Sequence, residues 1–231
     1  MRRVIAPAAL LLLLGSMWLG WVPPNGASSQ ESASLSTLEV DIWPEFDRPA
    51  VLVIVRGALA PDVSLPATLS LRIPASAGDP AALAYAPEVN SRLLDLDYER
   101  TDVQLDFTTI TFTTPGRFIQ MEFYDPLETG AADRSYTYIW PGDLSASQVS
   151  VQAQQPAGAT DFSVLPELGA AITGADGLVY READLGSLDT GKVLTVAIQY
   201  QKSDPRTSVE ILGLNTEAPA ATESDGAIPS W

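Results

Sequence analysis

The 231-residue chain contains no cysteine and no histidine. These absences exclude disulfides, thiolate or imidazole metal sites, haem on histidine, cysteine nucleophiles and any Ser-His-Asp triad. Basic residues are also scarce, with 13 Lys and Arg against 29 Asp and Glu, so the formal net charge is -16. Because nucleic-acid binding needs a basic surface, this balance predicts a protein that does not bind nucleic acid.

The first 28 residues have the order of segments found in a secretory signal peptide. Two arginines precede an uncharged stretch over residues 4–22, and small residues at 26–28 offer a cleavage site. The uncharged stretch approaches the roughly 20 residues of a membrane span, so an uncleaved membrane anchor is the alternative. Both readings predict an extracytoplasmic protein, either secreted or anchored to the cytoplasmic membrane by its N-terminal segment.

From Leu38 onward the apolar residues recur with a period of two, which is typical of strands. Leu38, Val40 and Ile42 alternate with other residues, and 51–55 is a continuous apolar run that indicates a strand buried on both faces. No window of a dozen residues sustains helical spacing, so the predicted fold class is all-β, of the sandwich kind. Further strands are predicted at 69–73, 82–85, 93–98, 103–113, 117–124, 135–140, 148–154, 162–165, 178–183 and 193–200.

The strands fall into two groups, which predicts two consecutive immunoglobulin-like or fibronectin-like β-sandwich modules. Trp43-Pro44 and Trp140-Pro141 each end a strand and precede a polar turn and a β-branched strand, as in a repeat. The segment after the last strand is too poor in apolar residues to form a core. The predicted divisions are 1–28 signal peptide or anchor, 29–36 polar linker, 37–126 first module, 134–203 second module and 204–231 disordered acidic tail.

Several short motifs are spread along the chain. They include the run LEVDIWPEFDRP at 38–49, YIWPGD at 138–143 and QPAGA at 155–159. Together they resemble signatures of a group of uncharacterised bacterial envelope proteins, over roughly residues 37–204. The resemblance implies a secreted or membrane-tethered β-sandwich ectodomain of unknown function, with no catalytic residues to carry over.

Aromatic residues on two consecutive predicted strands provide the candidate ligand site. Within each strand they alternate, so their side chains share a face. If the two strands pair as a hairpin, the rings and a neighbouring carboxylate could stack on a sugar and bind its hydroxyls. An aromatic inner face of the sandwich explains the same alternation and is the favoured alternative. The candidate residues are Phe118, Glu122, Tyr124, Tyr136, Tyr138 and Trp140.

Acidic residues are plentiful enough to suggest a cation site. Asp95, Asp97 and Glu99 would share one face of a strand and offer the oxygen ligands that Ca²⁺ prefers. A solvated strand face explains the same pattern without a metal, and no other cofactor is predicted. The tripeptide 189–191 (Asp-Thr-Gly) occurs once, whereas aspartic proteases need two aspartates, so a polar turn with Gly191 at positive φ is expected.

The sequence therefore predicts a non-enzymatic extracytoplasmic protein that serves as a structural, adhesive or ligand-binding module of the cell envelope. Its partner would be an envelope protein or a polysaccharide. The alternative is a carbohydrate-binding accessory domain or a glycoside hydrolase that uses paired carboxylates.

Overall fold

The computed structural model describes residues 33–89, 91–102 and 106–214. The predicted export segment at 1–28 lies outside these residues. Strands dominate the described part of the chain, which confirms the all-β class. The strands are β1 (Leu35–Pro44), β2 (Ala50–Leu59), β3 (Ala67–Pro74), β4 (Ala82–Ala86), β5 (Leu94–Asp95), β6 (Tyr98–Asp102), β7 (Phe107–Thr114), β8 (Phe118–Pro126), β9 (Asp133–Trp140), β10 (Ala146–Gln155), β11 (Thr160–Leu165), β12 (Ile172–Thr173), β13 (Val179–Leu188) and β14 (Leu194–Gln201).

Three sheets organise these strands. The central sheet has eight strands in the order β12-β13-β10-β1-β2-β8-β4-β5. The first small sheet has the order β3-β7-β6, and the second small sheet has the order β11-β14-β9. Within the central sheet β1 pairs with β10 in parallel, whereas β2 pairs with β1 and β8 in antiparallel fashion. A parallel pair needs a long crossover, and here strands β2 to β9 intervene between the partners.

The hydrophobic core takes residues from all three sheets. Leu38 and Val40 of the central sheet, Ile110 of the first small sheet and Val196 of the second are fully buried in one cluster. Residues 51–55 are buried without exception, as predicted, because this part of β2 lies in the middle of the central sheet and is covered on both faces. The core is therefore continuous across the two halves of the chain.

The two predicted modules are joined rather than separated along the described chain. Each half supplies strands to the central sheet and carries one small sheet, but β1 and β10 connect the halves edge to edge. The two copies of the predicted Trp-Pro repeat also differ in how the following strand pairs. After Trp43-Pro44 the chain returns as β2 beside β1, whereas after Trp140-Pro141 it enters β10, which pairs with β1 and not with β9. The two-module division is not confirmed.

Two local predictions are wrong. The predicted strand at 93–98 is divided, because β5 belongs to the central sheet and β6 to the first small sheet. The predicted tail contains a helix, α1 (Ser208–Leu212), within its first part, whereas residues 215–231 of the tail lie outside the described residues. A capping box encloses the start of α1, since Thr207 N–H donates to Glu210 Oε2 at 2.7 Å and Thr207 Oγ1 accepts from the Glu210 N–H. Within the described residues, no helix has the length and apolar character needed to cross a membrane.

A buried ionic cluster fixes the segment that carries α1. Glu45 accepts a hydrogen bond from Tyr200 Oη at 2.6 Å and lies 3.0 Å from Lys202 Nζ, while Arg134 pairs with the same carboxylate. The Glu45 carbonyl also accepts the Ser208 N–H at 2.8 Å. We name these side chains, Glu45, Arg134, Tyr200 and Lys202, the Glu45 cluster. All four are buried, so the β1–β2 turn, β9, β14 and the start of α1 are held at one point.

A second ion pair joins the first small sheet to the turn after β9. Asp143 accepts the Arg72 backbone N–H at 2.7 Å and the Arg72 Nε–H at 2.5 Å. The Asp143 side chain is only 6% exposed, so water replaces these bonds poorly.

We predict that Asp143→Asn lowers the free energy of unfolding by about 1–3 kcal/mol, because the amide would place a donor against one of the two Arg72 donors. Urea denaturation measures the loss. The control is Asp79→Asn, whose Asp79–Arg100 pair is exposed and should change stability by less than about 1 kcal/mol. Equal effects of the two substitutions would contradict the structural role of Asp143.

Candidate functional site

The predicted hairpin between the two aromatic strands is wrong. β8 lies in the central sheet between β2 and β4, whereas β9 pairs with β14 in the second small sheet. The six candidate residues are therefore divided between two sheets. Phe118, Glu122 and Tyr124 are partly exposed on β8, and the three residues of β9 are buried.

Tyr136, Tyr138 and Trp140 form the buried face of β9. Their exposures are 7%, 3% and 1%. Burial and the neighbouring Asp125, which accepts the Tyr136 hydroxyl hydrogen bond at 3.1 Å, raise the pKa of Tyr136. None of the three rings presents a face to solvent on which a sugar could stack. The inner-face alternative accounts for their alternation.

The predicted acidic ligand set is not assembled. Asp95, Asp97 and Glu99 are exposed, and the chain crosses between two sheets along this stretch, so they do not share one strand face. In the part of the chain that the structure describes, no group of three acidic side chains is placed to hold a metal ion. Residues 189–191 form a turn between β13 and β14, with Gly191 at the predicted positive φ of 79°.

The exposed residues of β8 lie on one side of the central sheet, which we name the outer face. The β1 residue Glu39 lies opposite Arg56 of β2, and Arg56 lies opposite Gln120 of β8. One row further along, Ala58 of β2 lies opposite Phe118. Since side chains alternate along strands, these residues all project from the face opposite the core.

A groove runs across this outer face beside Phe118. Phe118 has Ala58 on one neighbouring strand and Ala86 on the other, so small side chains flank a large ring. The resulting depression has a volume of about 260 Å³ and is also lined by Leu93 and other residues that follow β4. We name it the Phe118 groove. Its base is apolar, and charged side chains lie at its edge.

Ion pairing and hydrogen bonding fix the polar side chains next to the groove. Arg56 Nη1 lies 2.6 Å from Asp41 Oδ2, and Arg56 Nε donates to Gln120 Oε1 at 3.2 Å. Gln120 Nε2 in turn donates to Glu122 Oε1 at 2.6 Å. Burial raises the pKa of Asp41, and the charge and hydrogen bond of Arg56 oppose that increase. The Arg56 guanidinium is thus held in place by two neighbouring strands.

Tyr124 is engaged by neighbouring side chains at the far end of β8. Its hydroxyl donates to Asp47 Oδ2 at 2.8 Å, and the Arg48 guanidinium lies 3.6 Å from the ring centroid. Burial is the largest cause that raises the pKa of Tyr124 to about 12, and the hydrogen bond to Asp47 and the charge of Asp47 add to it. Because Arg48 already covers one face of the ring, Tyr124 is less suited than Phe118 to stack on a ligand.

Glu39 differs from the other charged residues of the outer face. Within residues 33–89, 91–102 and 106–214, no hydrogen bond or ion pair engages its carboxylate. Although the side chain is exposed overall, desolvation raises the pKa of Glu39, and the positive charge of Arg56 opposes this increase. The carboxylate at the edge of the groove is therefore ready to accept a partner from solution.

Sequence reasoning found Phe118 but missed the rest of the groove. The alternation of β1 places Glu39 and Asp41 on one face, and that signal was present in the sequence. The sequence did not indicate that Ala58 and Ala86 flank Phe118, since this arrangement depends on the order β2-β8-β4 in the sheet.

Comparisons with known proteins give no family for the chain and only distant structural neighbours. No protein-family model matches the chain, and no curated protein matches its sequence. Among solved structures, yeast LTA4 hydrolase in complex with bestatin is similar at a TM-score of 0.44 and 10% identity, over 74% of this chain and 29% of that chain. Native leukotriene A4 hydrolase from Saccharomyces cerevisiae is similar at a TM-score of 0.42 and 10% identity, over 74% of this chain and 30% of that chain. The chain thus spans under a third of the length of these proteins.

Proposed function

We propose that this chain is a non-enzymatic, extracytoplasmic binding module of the bacterial envelope and that its ligand site is the Phe118 groove. The observation that carries the proposal is the groove itself, a concave apolar base of about 260 Å³ with fixed polar groups at its edge. Most ligand sites combine these two features, the apolar base for affinity and a few polar groups for orientation. The predicted signal segment supports the extracytoplasmic location.

The arrangement of charges supports binding rather than turnover. Arg56 neutralises Asp41 and is held by Gln120, so these groups are suited to orient a ligand. A sugar is the alternative ligand, because Phe118 offers a ring for stacking and Glu39 a carboxylate that can accept hydrogen bonds from hydroxyls. If a sugar binds in this groove, the proposed function as a binding module stands and only the class of ligand changes.

The division into two immunoglobulin-like or fibronectin-like modules also remains a proposal. It is supported by the presence of one small sheet in each half, β3-β7-β6 in the first and β11-β14-β9 in the second. In this proposal the two modules share one central sheet through the β1–β10 pair.

We predict that Ala58→Trp abolishes ligand binding by filling the base of the groove. Ala58 is half-buried, so the indole can occupy the groove while stability changes by less than about 1 kcal/mol. Fragments found to bind the full chain by ligand-observed NMR should bind the variant at least about tenfold more weakly, which is about 1.4 kcal/mol.

The matched control is Ala197→Trp, at a half-buried alanine on β14 in the second small sheet. This variant should retain the affinity of the wild-type chain. Fragments whose affinity is unchanged by Ala58→Trp, or a complete lack of binding fragments, would contradict the proposed site.

A further inference from the structure

We propose that the Phe118 groove takes a small organic cation, an amine carried on an aromatic or aliphatic body. This inference rests on the proposed function, because it names the class of ligand for the same site. It follows from the charge at the edge of the groove, the nature of its base and the distance between them.

The edge of the groove has an excess of negative charge. Glu39 and Glu88 both line the groove, and Arg56 is the cation among the described lining residues. Arg56 is paired with Asp41 at 2.6 Å, so its charge is already matched by a carboxylate. Three carboxylates against one guanidinium leave a local charge of -2, within a chain of formal charge -16. A cation is attracted to such a site, whereas an anion is repelled.

Glu39 is the carboxylate that a cation would approach. No described side chain forms a hydrogen bond or an ion pair with it, in contrast to Asp41 and Glu122, and Arg56 acts on it through its charge alone. Arg56 turns its guanidinium to Asp41 and Gln120, which leaves Glu39 without a direct hydrogen bond. Desolvation raises the pKa of Glu39, and an ammonium group next to it would offset that cost of ionisation. A bound amine would therefore neutralise one of the two excess negative charges at the edge of the groove.

The apolar base provides a surface for the rest of the ligand. The Phe118 ring lies between Ala58 and Ala86, so a flat or aliphatic body can rest against it. Glu39 and Phe118 are two strands and two residues apart, roughly 12 Å between Cα atoms from the usual strand spacings. The volume of about 260 Å³ suits a single small molecule.

Three probes of the same shape test the inference: phenethylamine, phenethyl alcohol and hydrocinnamate, which are cationic, neutral and anionic. They are titrated into the isotope-labelled full chain, and the dissociation constants are taken from amide shifts around Phe118. We expect phenethylamine to bind about fivefold more tightly than the alcohol, as an ion pair with an exposed carboxylate would allow, and hydrocinnamate to bind more weakly than both. In Glu39→Gln the preference for the amine over the alcohol should fall to below twofold.

The control variant is Glu182→Gln, which removes one charge from the same outer face two strands away from β1. Glu182→Gln should keep at least half of the preference for the amine over the alcohol. The direct contact with Glu39 is intact in this variant, and only one of the surrounding negative charges is removed. Equal binding of the amine and the alcohol by the wild-type chain would overturn the inference. Tighter binding of cellotriose than of phenethylamine would also overturn it, as would an equal loss of the preference for the amine in Glu39→Gln and Glu182→Gln. These outcomes leave the groove as the ligand site, whereas binding that Ala58→Trp does not weaken would overturn the proposed function itself.

Discussion

Glu45→Gln should lower the free energy of unfolding by about 3–5 kcal/mol, since it removes the only carboxylate of the Glu45 cluster and leaves Arg134 and Lys202 buried without their counter-charge. Glu45 is 1% exposed, and the side chains of Arg134 and Lys202 are 3% and 0% exposed. Water therefore cannot replace the lost charge without local opening. Urea denaturation of the full chain measures the change.

The Glu45 cluster also predicts how this difference depends on pH. Burial acts to raise the pKa of Glu45, but hydrogen bonds from Arg134, Tyr200 and Lys202 outweigh it, and the pKa lies below its ordinary value of 4.5. A carboxyl whose pKa is lowered by folding stabilises the protein fully above the unfolded value and loses that contribution as the pH falls through the folded value. The stability gap between wild type and Glu45→Gln should therefore be constant near neutral pH and narrow below about pH 4.5.

The matched control for Glu45 is Glu128→Gln, at an exposed glutamate between β8 and β9. This substitution should change stability by less than about 0.5 kcal/mol. A loss of similar size in both variants, or a gap that widens in acid, would show that the cluster does not hold the β1–β2 turn and α1 together.

Trp140→Ala should cost about 3–5 kcal/mol of stability, because it empties a fully buried indole site in the continuous core. Its matched control is Ile139→Ala, at the neighbouring residue of β9, whose side chain is 37% exposed on the opposite face. That variant should lose less than about 1 kcal/mol. The two denaturation midpoints, measured on the same day under the same conditions, give the comparison.

The same pair of variants separates a core residue from a ligand platform. If Trp140 served to bind sugar, Trp140→Ala would remain as stable as Ile139→Ala and would lose affinity for polysaccharide. The structure predicts the reverse, since the indole lies among Val149, Val196 and other core residues of the same cluster.

Local patterns in the sequence were sufficient to predict most strands. The apolar run at 51–55 and the alternation of 38–42 report burial directly, because a strand in the middle of a covered sheet needs apolar residues on both faces. The turn at 189–191 follows from a glycine that adopts positive φ. Each of these features depends on a few neighbouring residues.

The partners of each strand could not be predicted in this way. Tyr136, Tyr138 and Trp140 alternate whether their face is turned to solvent or to the core, and only the packing of the second small sheet against the rest of the core decides between the two. Likewise β1 pairs with β10 from more than a hundred residues away, and no turn sets that register. The Phe118 groove could not be predicted for the same reason, since its base is formed by residues of three strands.

The helix α1 was missed for a different reason. It has five residues, which is too short for a periodic pattern to register. Two local signals remain. Thr207 with Glu210 three residues later forms a capping box, and Gly213 ends the helix in the left-handed conformation.

An amide shift map of the full chain with the tightest fragment from the NMR screen shows directly where the ligand binds. We expect the shifted amides to lie on β1, β2, β4 and β8 around Phe118 and Glu39. Shifts gathered on β9 and β14 around Tyr138, or scattered without a focus, would contradict the assignment of the ligand site to the outer face of the central sheet.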